Sequence, residues 1–115
     1  MVKILAPISI GDLIDRITIL EIKVESQPQL EKELIALREA VEDIHVGDLY
    51  SVLQTINRNL WVMENAIRQR MAQGDDCLVA DAAVSIVKLN DERSRIKQQI
   101  NHICGAKVIE EKVYK

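Results

Sequence analysis

Five polar side chains fall inside or beside the apolar stripes of three expected helices. Placed on helical wheels, Glu21 lies inside the stripe of the first helix and Arg93 lies inside the stripe of the last. A carboxylate and a guanidinium directed toward a core need partners, because an unpaired buried charge is very costly. Such groups either pair with each other or bind a ligand. The candidate polar cluster comprises Glu21, Glu64, Arg68, Asn90 and Arg93.

Two hypotheses account for this cluster. In the first, Glu21 and Arg93 form a structural ion pair across helices 1 and 4, or Arg93 extends its head group to solvent. In the second, the cluster lines a pocket between helices 1, 3 and 4 that binds a sugar, a nucleotide sugar or another anion. A dry, closed ion pair would favour the first hypothesis, and a lined pocket would favour the second.

Other residue types capable of catalysis lack the neighbours that their chemistry needs. No serine lies in a glycine elbow, and neither His45 nor His102 has an evident nucleophile partner. Glu39 and Glu42 have the ExxE spacing of helical nucleotide pyrophosphatases, but the downstream ExxD motif is missing. The two cysteines have no zinc-ligand spacing. We therefore expect no catalytic residue, metal or cofactor, and favour a non-enzymatic role.

The elements that position these residues are four helices. Apolar residues recur at helical spacing in four segments, and Ser9 with Asp12 has capping-box spacing before the first. We expect Pro28 in the first turn of helix 2 and Asp48 as the cap of helix 3. The expected helices cover roughly residues 10–25, 28–46, 48–73 and 75–104, the last three ended by Gly47, Gly74 and Gly105.

These segments predict an all-α fold of four helices in antiparallel hairpins, because the connections are short. Residues 1–8 and 108–114 lack helical periodicity, so we expect short extended segments at both termini. The length of 115 residues fits a single helical domain, 1–115.

Several apolar residues fall outside the core stripes of their helices. Such positions indicate a second buried surface, either a dimer interface or a docking face. We therefore expect self-association, most simply as a homodimer. A docking face for another protein is the alternative, and the sequence does not identify that protein. The candidate interface comprises Ile19, Ile22, Val62, Val84 and Val87.

Composition excludes several classes of partner. The net charge is −3 and the pI is near 5.4, so we expect no nucleic-acid binding. No stretch approaches the roughly 20 apolar residues of a membrane span, so we expect no membrane partner. The free cysteines and the absence of a signal-peptide pattern favour a cytoplasmic location.

Four stretches of the chain resemble a protein family. They are residues 3–23 (KILAPISIGDLIDRITILEIK), 59–64 (NLWVME), 90–101 (NDERSRIKQQIN) and 109–114 (IEEKVY). They are similar to an uncharacterised family of small helical bacterial and phage proteins, whose members sometimes occur beside or fused to proteins of surface-sugar metabolism. The resemblance implies a compact helical unit and no established activity. Residues 82–89 depart from the family pattern because they contain no aromatic side chain.

Overall fold

The fold consists of helices joined by short turns. The computed structural model describes the backbone of residues 6–113 and the side chains of residues 6–104. Within this part of the chain there is no strand, and the four expected helices are confirmed as two antiparallel hairpins. The elements are α1 Ile10–Lys23, a 3₁₀ turn Pro28–Leu30, α2 Glu31–Ala40, α3 Asp48–Gln73 and α4 Asp76–Val113.

Helix α1 begins at a side-chain cap and lies close against α4. The Ser9 hydroxyl accepts a hydrogen bond from the backbone N–H of Asp12 at 3.1 Å, as the capping spacing predicts. One turn of α4 faces the first turn of α1, where Asn101 Oδ1 accepts from the Gly11 N–H at 2.7 Å. A Cβ at Gly11 would lie 2.4 Å from the carbonyl oxygen of Lys97. The absence of a side chain at Gly11 therefore permits this close approach.

The core surrounds α1, which contacts α2, α3 and α4. Its apolar residues are packed in two groups that share no buried member. One group joins α1 to α3 and α4, and the other joins α1 to α2. Helix α1 is thus covered on several sides rather than along one stripe. The buried members are Ile14, Val46, Leu53 and Ile100 in the first group and Ile17, Leu20 and Leu34 in the second.

Helix 2 is shorter than the sequence predicts. The prediction that it continues to near Gly47 is wrong, because α2 ends at Ala40 and an irregular connection follows. Val46, in that connection, is buried in the core, and Ile44 packs beside it. The burial of these two side chains stabilises the irregular backbone between α2 and α3. Gly47, with φ +59°, precedes α3 as its cap, so Asp48 is the first helical residue and not the capping residue.

In the second hairpin, the turn between α3 and α4 agrees with the prediction, and the end of α4 does not. Gly74 adopts φ +74° after α3, and Asp75 Oδ1 accepts from the Leu78 N–H at 3.3 Å, which confirms the predicted turn. The predicted end at Gly105 is wrong, as is the extended segment over 108–113, because α4 continues to Val113. A glycine inside a helix costs only about 1 kcal/mol, and the following Ala, Lys and Glu residues favour helix. The expected extended segment at the N-terminus lies outside the described residues over positions 1–5.

The tip of the second hairpin extends beyond the core. We call residues 61–89 the distal hairpin: it comprises the second half of α3, the turn at Gly74 and the part of α4 up to residue 89. Helix α3 has 26 residues and α1 has 14, so they are about 39 and 21 Å long. No side chain of the distal hairpin is fully buried. Its two helices cover each other, and α1 lies near the part of the hairpin that contains Trp61, Glu64 and Arg68.

Candidate functional site

A two-point ion pair with a buried carboxylate joins α1 to α4. Arg93 donates from Nε to Asp15 Oδ1 at 2.8 Å and from Nη2 to Asp15 Oδ2 at 2.5 Å. This two-point geometry is the strongest form of guanidinium–carboxylate contact. Asp15 is only 4% exposed, whereas the Arg93 side chain retains 29% exposure. The neighbouring carboxylate raises the pKa of the Arg93 guanidinium, although partial burial opposes the shift.

Helix α3 completes the hydrogen bonding around Asp15. Asn57 Nδ2 donates to Asp15 Oδ1 at 2.9 Å and to Thr18 Oγ1 at 2.7 Å. The Thr18 hydroxyl in turn donates to the backbone carbonyl of Asp15 at 2.7 Å. Thr18 and Asn57 are both buried. Among the described side chains no buried polar atom lacks a hydrogen-bond partner. The network is therefore a fully satisfied polar junction of α1, α3 and α4.

Glu21 belongs to a different junction, so its expected pairing with Arg93 is wrong. Its carboxylate accepts from Arg38 Nη2 at 2.8 Å, from the Tyr50 hydroxyl at 2.7 Å and from Gln54 Nε2 at 3.2 Å. Positions 15 and 21 are six residues apart, which on a helix of about 100° per residue places them on different sides of α1. Burial, followed by the contact with Glu21, raises the pKa of the Tyr50 phenol above its ordinary value.

Three of the other four cluster residues line one cavity. It lies among α1, α3 and α4, has a volume of about 300 Å³, and is called the α1–α3–α4 pocket below. Asn90 stands beside it, with its Oδ1 3.5 Å from Arg93 Nη1. The structure therefore brings Glu64, Arg68, Asn90 and Arg93 together and leaves Glu21 apart. The lining residues are Ile19, Ile22, Lys23, Asn57, Leu60, Trp61, Glu64, Arg68 and Arg93.

The charge in this pocket is unevenly balanced. Asp15 neutralises Arg93 from behind the wall of the pocket. Lys23 and Arg68 form no ion pair with any described residue; Arg68 contacts only the amide oxygen of Asn65, at 3.1 Å. Glu64 is the one carboxylate among the lining residues. Two cations that form no ion pair with the described residues thus line a small cavity in a chain whose net charge is −3.

A second depression adjoins the first along α1. It has a volume of about 520 Å³ and shares Ile19, Lys23 and Arg93 with the α1–α3–α4 pocket. Its remaining charged residues are already engaged. Lys97 Nζ lies 2.7 Å from Asp12 Oδ1, a contact that lowers the pKa of the Asp12 carboxyl, and Arg16 pairs with Glu33. Of the cations that line the two depressions, only Lys23 and Arg68 form no ion pair with a described residue, and both of them line the α1–α3–α4 pocket.

The candidate interface residues occupy different environments. Ile22 is 6% exposed, so its expected place on a free surface is wrong: helices pack around α1 on several sides. Ile19 is half-buried and lines both depressions. Val62, Val84 and Val87 are 57%, 56% and 60% exposed, and all three lie on the distal hairpin. Met71 and Leu78, which the sequence pattern did not single out for this role, are exposed there too.

Comparison with known proteins identifies the family. The model of a family described as a family of unknown function (DUF6165) matches residues 4–115. The chain belongs to the DUF6165 family. Membership agrees with the resemblance to an uncharacterised family and adds no reaction. No curated protein matches this DUF6165 chain, and no solved structure matches it.

Two further findings concern the described residues. No group of three His, Cys, Asp or Glu side chains in that part of the chain is placed to hold a metal ion. Over the same part, no helix combines the length and the apolar character needed to cross a membrane. The free cysteines lie apart from the pocket: Cys77 is exposed on the distal hairpin, and Cys104 is half-buried near the core.

Proposed function

We propose that this DUF6165 protein is a self-associating helical module, and that two copies join through the distal hairpin. The observation that carries the proposal is the incomplete burial of that hairpin. Met63, Ile67 and Ile86 recur at core spacing but are only half-buried, and Val84 and Val87 are more than half exposed. Two helices alone leave such residues in contact with water, which costs stability for each apolar group.

A second copy of the chain is the partner that best suits this surface. The α3 half of the distal hairpin has a net positive charge, which includes Arg70, and the α4 half has a net negative charge, which includes Asp76 and Asp81. Under a two-fold axis, α3 of one copy lies beside α4 of the other, so opposite charges meet. Two hairpins then form a four-helix bundle around the half-buried apolar residues.

Light scattering on the purified protein across the micromolar range tests this proposal. The wild type should have the mass of a dimer, and Val84→Glu with Val87→Glu should give a monomer with unchanged helical circular dichroism. Ile35→Glu is the matched control, because Ile35 is 47% exposed on α2, outside the distal hairpin, and this variant should remain dimeric. A monomeric wild type, or a dimer that survives the double change, would contradict the proposal.

A second candidate function is the binding of a small anionic or polyhydroxylated molecule in the α1–α3–α4 pocket. Lys23 and Arg68, which form no ion pair with a described residue, favour it, because cations held in a concave site attract anions. Sugars and nucleotide sugars have suitable chemistry. A cytoplasmic role beside bacterial or phage surface-sugar metabolism forms part of this proposal, through the resemblance described above. A thermal-shift screen of sugars and sugar phosphates tests it, because a ligand that binds the native state raises the melting temperature.

A further inference from the structure

The α1–α3–α4 pocket combines three kinds of group that recognise one class of ligand. Lys23 and Arg68 supply positive charge, and neither forms an ion pair with a described carboxylate. Trp61, the single tryptophan of the chain, supplies an aromatic surface in the same lining. Glu64 supplies an acceptor for a hydroxyl group. The volume of about 300 Å³ lies at the lower end of the range for small-molecule sites.

We propose that this pocket binds a small organic phosphate bearing one ring, with the phosphate between Lys23 and Arg68 and the ring against Trp61. The inference rests on the second candidate function and names its ligand class. A guanidinium and an ammonium together match the charge of a phosphate monoester, and phosphate oxygens accept the several N–H donors that these groups offer. Arg93 remains bound to Asp15 and forms the wall.

Mixed charge around the pocket does not oppose this assignment. Asp15 is buried, and both of its carboxylate oxygens accept hydrogen bonds from Arg93. The guanidinium therefore largely offsets the negative charge of Asp15. Glu64 is exposed at the margin of the pocket and accepts hydrogen bonds from ring hydroxyls when the phosphate lies on the cationic side. The apolar side chains of Ile19 and Leu60 complete the lining and exclude water from one face of the ring.

Fluorescence of Trp61 gives a direct test, because no other tryptophan contributes to the signal. The probes are phenyl phosphate, inorganic phosphate and the uncharged phenyl glucoside, titrated at constant ionic strength. Phenyl phosphate should produce a saturable change at lower concentration than inorganic phosphate, which lacks the ring. Lys23→Gln and Arg68→Gln should each weaken phenyl phosphate binding by about tenfold or more, the loss expected for a charged hydrogen bond.

The control variant Lys32→Gln removes an exposed cation from α2, outside the pocket, and should leave the binding constant unchanged. Equal weakening by all three variants would mean that phosphate responds only to overall charge, and would overturn the site. A response to phenyl glucoside without one to phenyl phosphate would overturn the phosphate assignment while the small-molecule function stands. No response to any probe would overturn the phosphate assignment, and the thermal-shift screen of sugars and sugar phosphates would then decide whether the small-molecule function stands.

Discussion

Removal of the guanidinium from the Asp15–Arg93 pair gives the sharpest test of the polar junction. The change Arg93→Met keeps much of the aliphatic stem and eliminates both charged hydrogen bonds. Asp15 is then left 4% exposed, with Asn57 as a donor and Lys97 Nζ at 3.9 Å. Breaking a buried pair from one side costs about 3–5 kcal/mol. We expect a loss near 3 kcal/mol, because Asn57 and Lys97 still partly compensate the carboxylate.

The reverse change should cost less, because the two partners differ in exposure. Asp15→Asn leaves Arg93, whose side chain is 29% exposed and can reach water. The expected loss is about 1.5–2 kcal/mol, at the low end of the value of a hydrogen bond to a charged group. The double variant should lose about 2–3 kcal/mol, roughly 2 kcal/mol less than the sum of the single losses. The coupling isolates the pair from changes in packing.

Urea denaturation followed by circular dichroism measures all four corners of this cycle. Arg16 and Glu33 provide a matched control, because they also join two helices but have side chains 58% and 39% exposed. The same cycle on this pair should give a coupling of about 0–1 kcal/mol, typical of surface ion pairs. If the coupling of Asp15 with Arg93 does not exceed that of the control, the junction does not stabilise the fold as argued above.

Three further predictions concern packing and titration. Gly11→Ala should destabilise by about 1–3 kcal/mol in urea denaturation, because its Cβ would lie 2.4 Å from the Lys97 carbonyl oxygen; a gain in stability would show that α4 moves freely. In a Tyr114→Phe variant, the phenolate absorbance of Tyr50 should develop only at pH values above 10.0, the ordinary pKa of a tyrosine. Stability should fall above about pH 10, because the tyrosine of the unfolded chain ionises first. Half-ionisation of Tyr50 at that pH in the folded protein would contradict the prediction. Lys97 lowers the pKa of the Asp12 carboxyl below 3.8, so their contact stabilises the fold above that pH, and this stabilisation is lost as the pH falls through the pKa of Asp12 in the folded protein. Lys97→Gln should flatten this dependence of the unfolding free energy on pH, measured from about pH 5 downward. An unchanged profile would contradict the prediction.

The sequence predicts the local structure of this fold because local signals determine it. The Ser9 cap depends on residues within one turn, and so does the left-handed Gly74. The end of α2 depends on burial of Val46, which is a tertiary effect that no local pattern contains. Gly105 has a typical helix-stop residue type, but the residues after it also favour helix, so the rule for glycine failed there.

The candidate site was predicted in part, and the error has a specific cause. Sequence patterns predict a single core stripe for α1, so they place Ile22 on a docking surface and do not single out Asp15. A helix that contacts three others is buried on several sides. Asp15, Thr18 and Ile22 recur at spacings of three and four residues and are all buried. That second periodicity was the signal for the partner of Arg93. Asn57 lay beside the α3 stripe, but its role depends on Asp15.

Arg93 has a position that links the core to the pocket. It occupies a position of the apolar stripe formed by Ile86, Leu89, Ile96 and Ile100. A charged side chain is tolerated at this position only when a carboxylate of another helix pairs with it. Asp15 does so only if α1 and α4 are in one relative register. A change at Arg93 therefore alters stability and the pocket wall together. Lys23 and Arg68 form no ion pair within the described part of the chain, so substitutions there should separate ligand binding from folding.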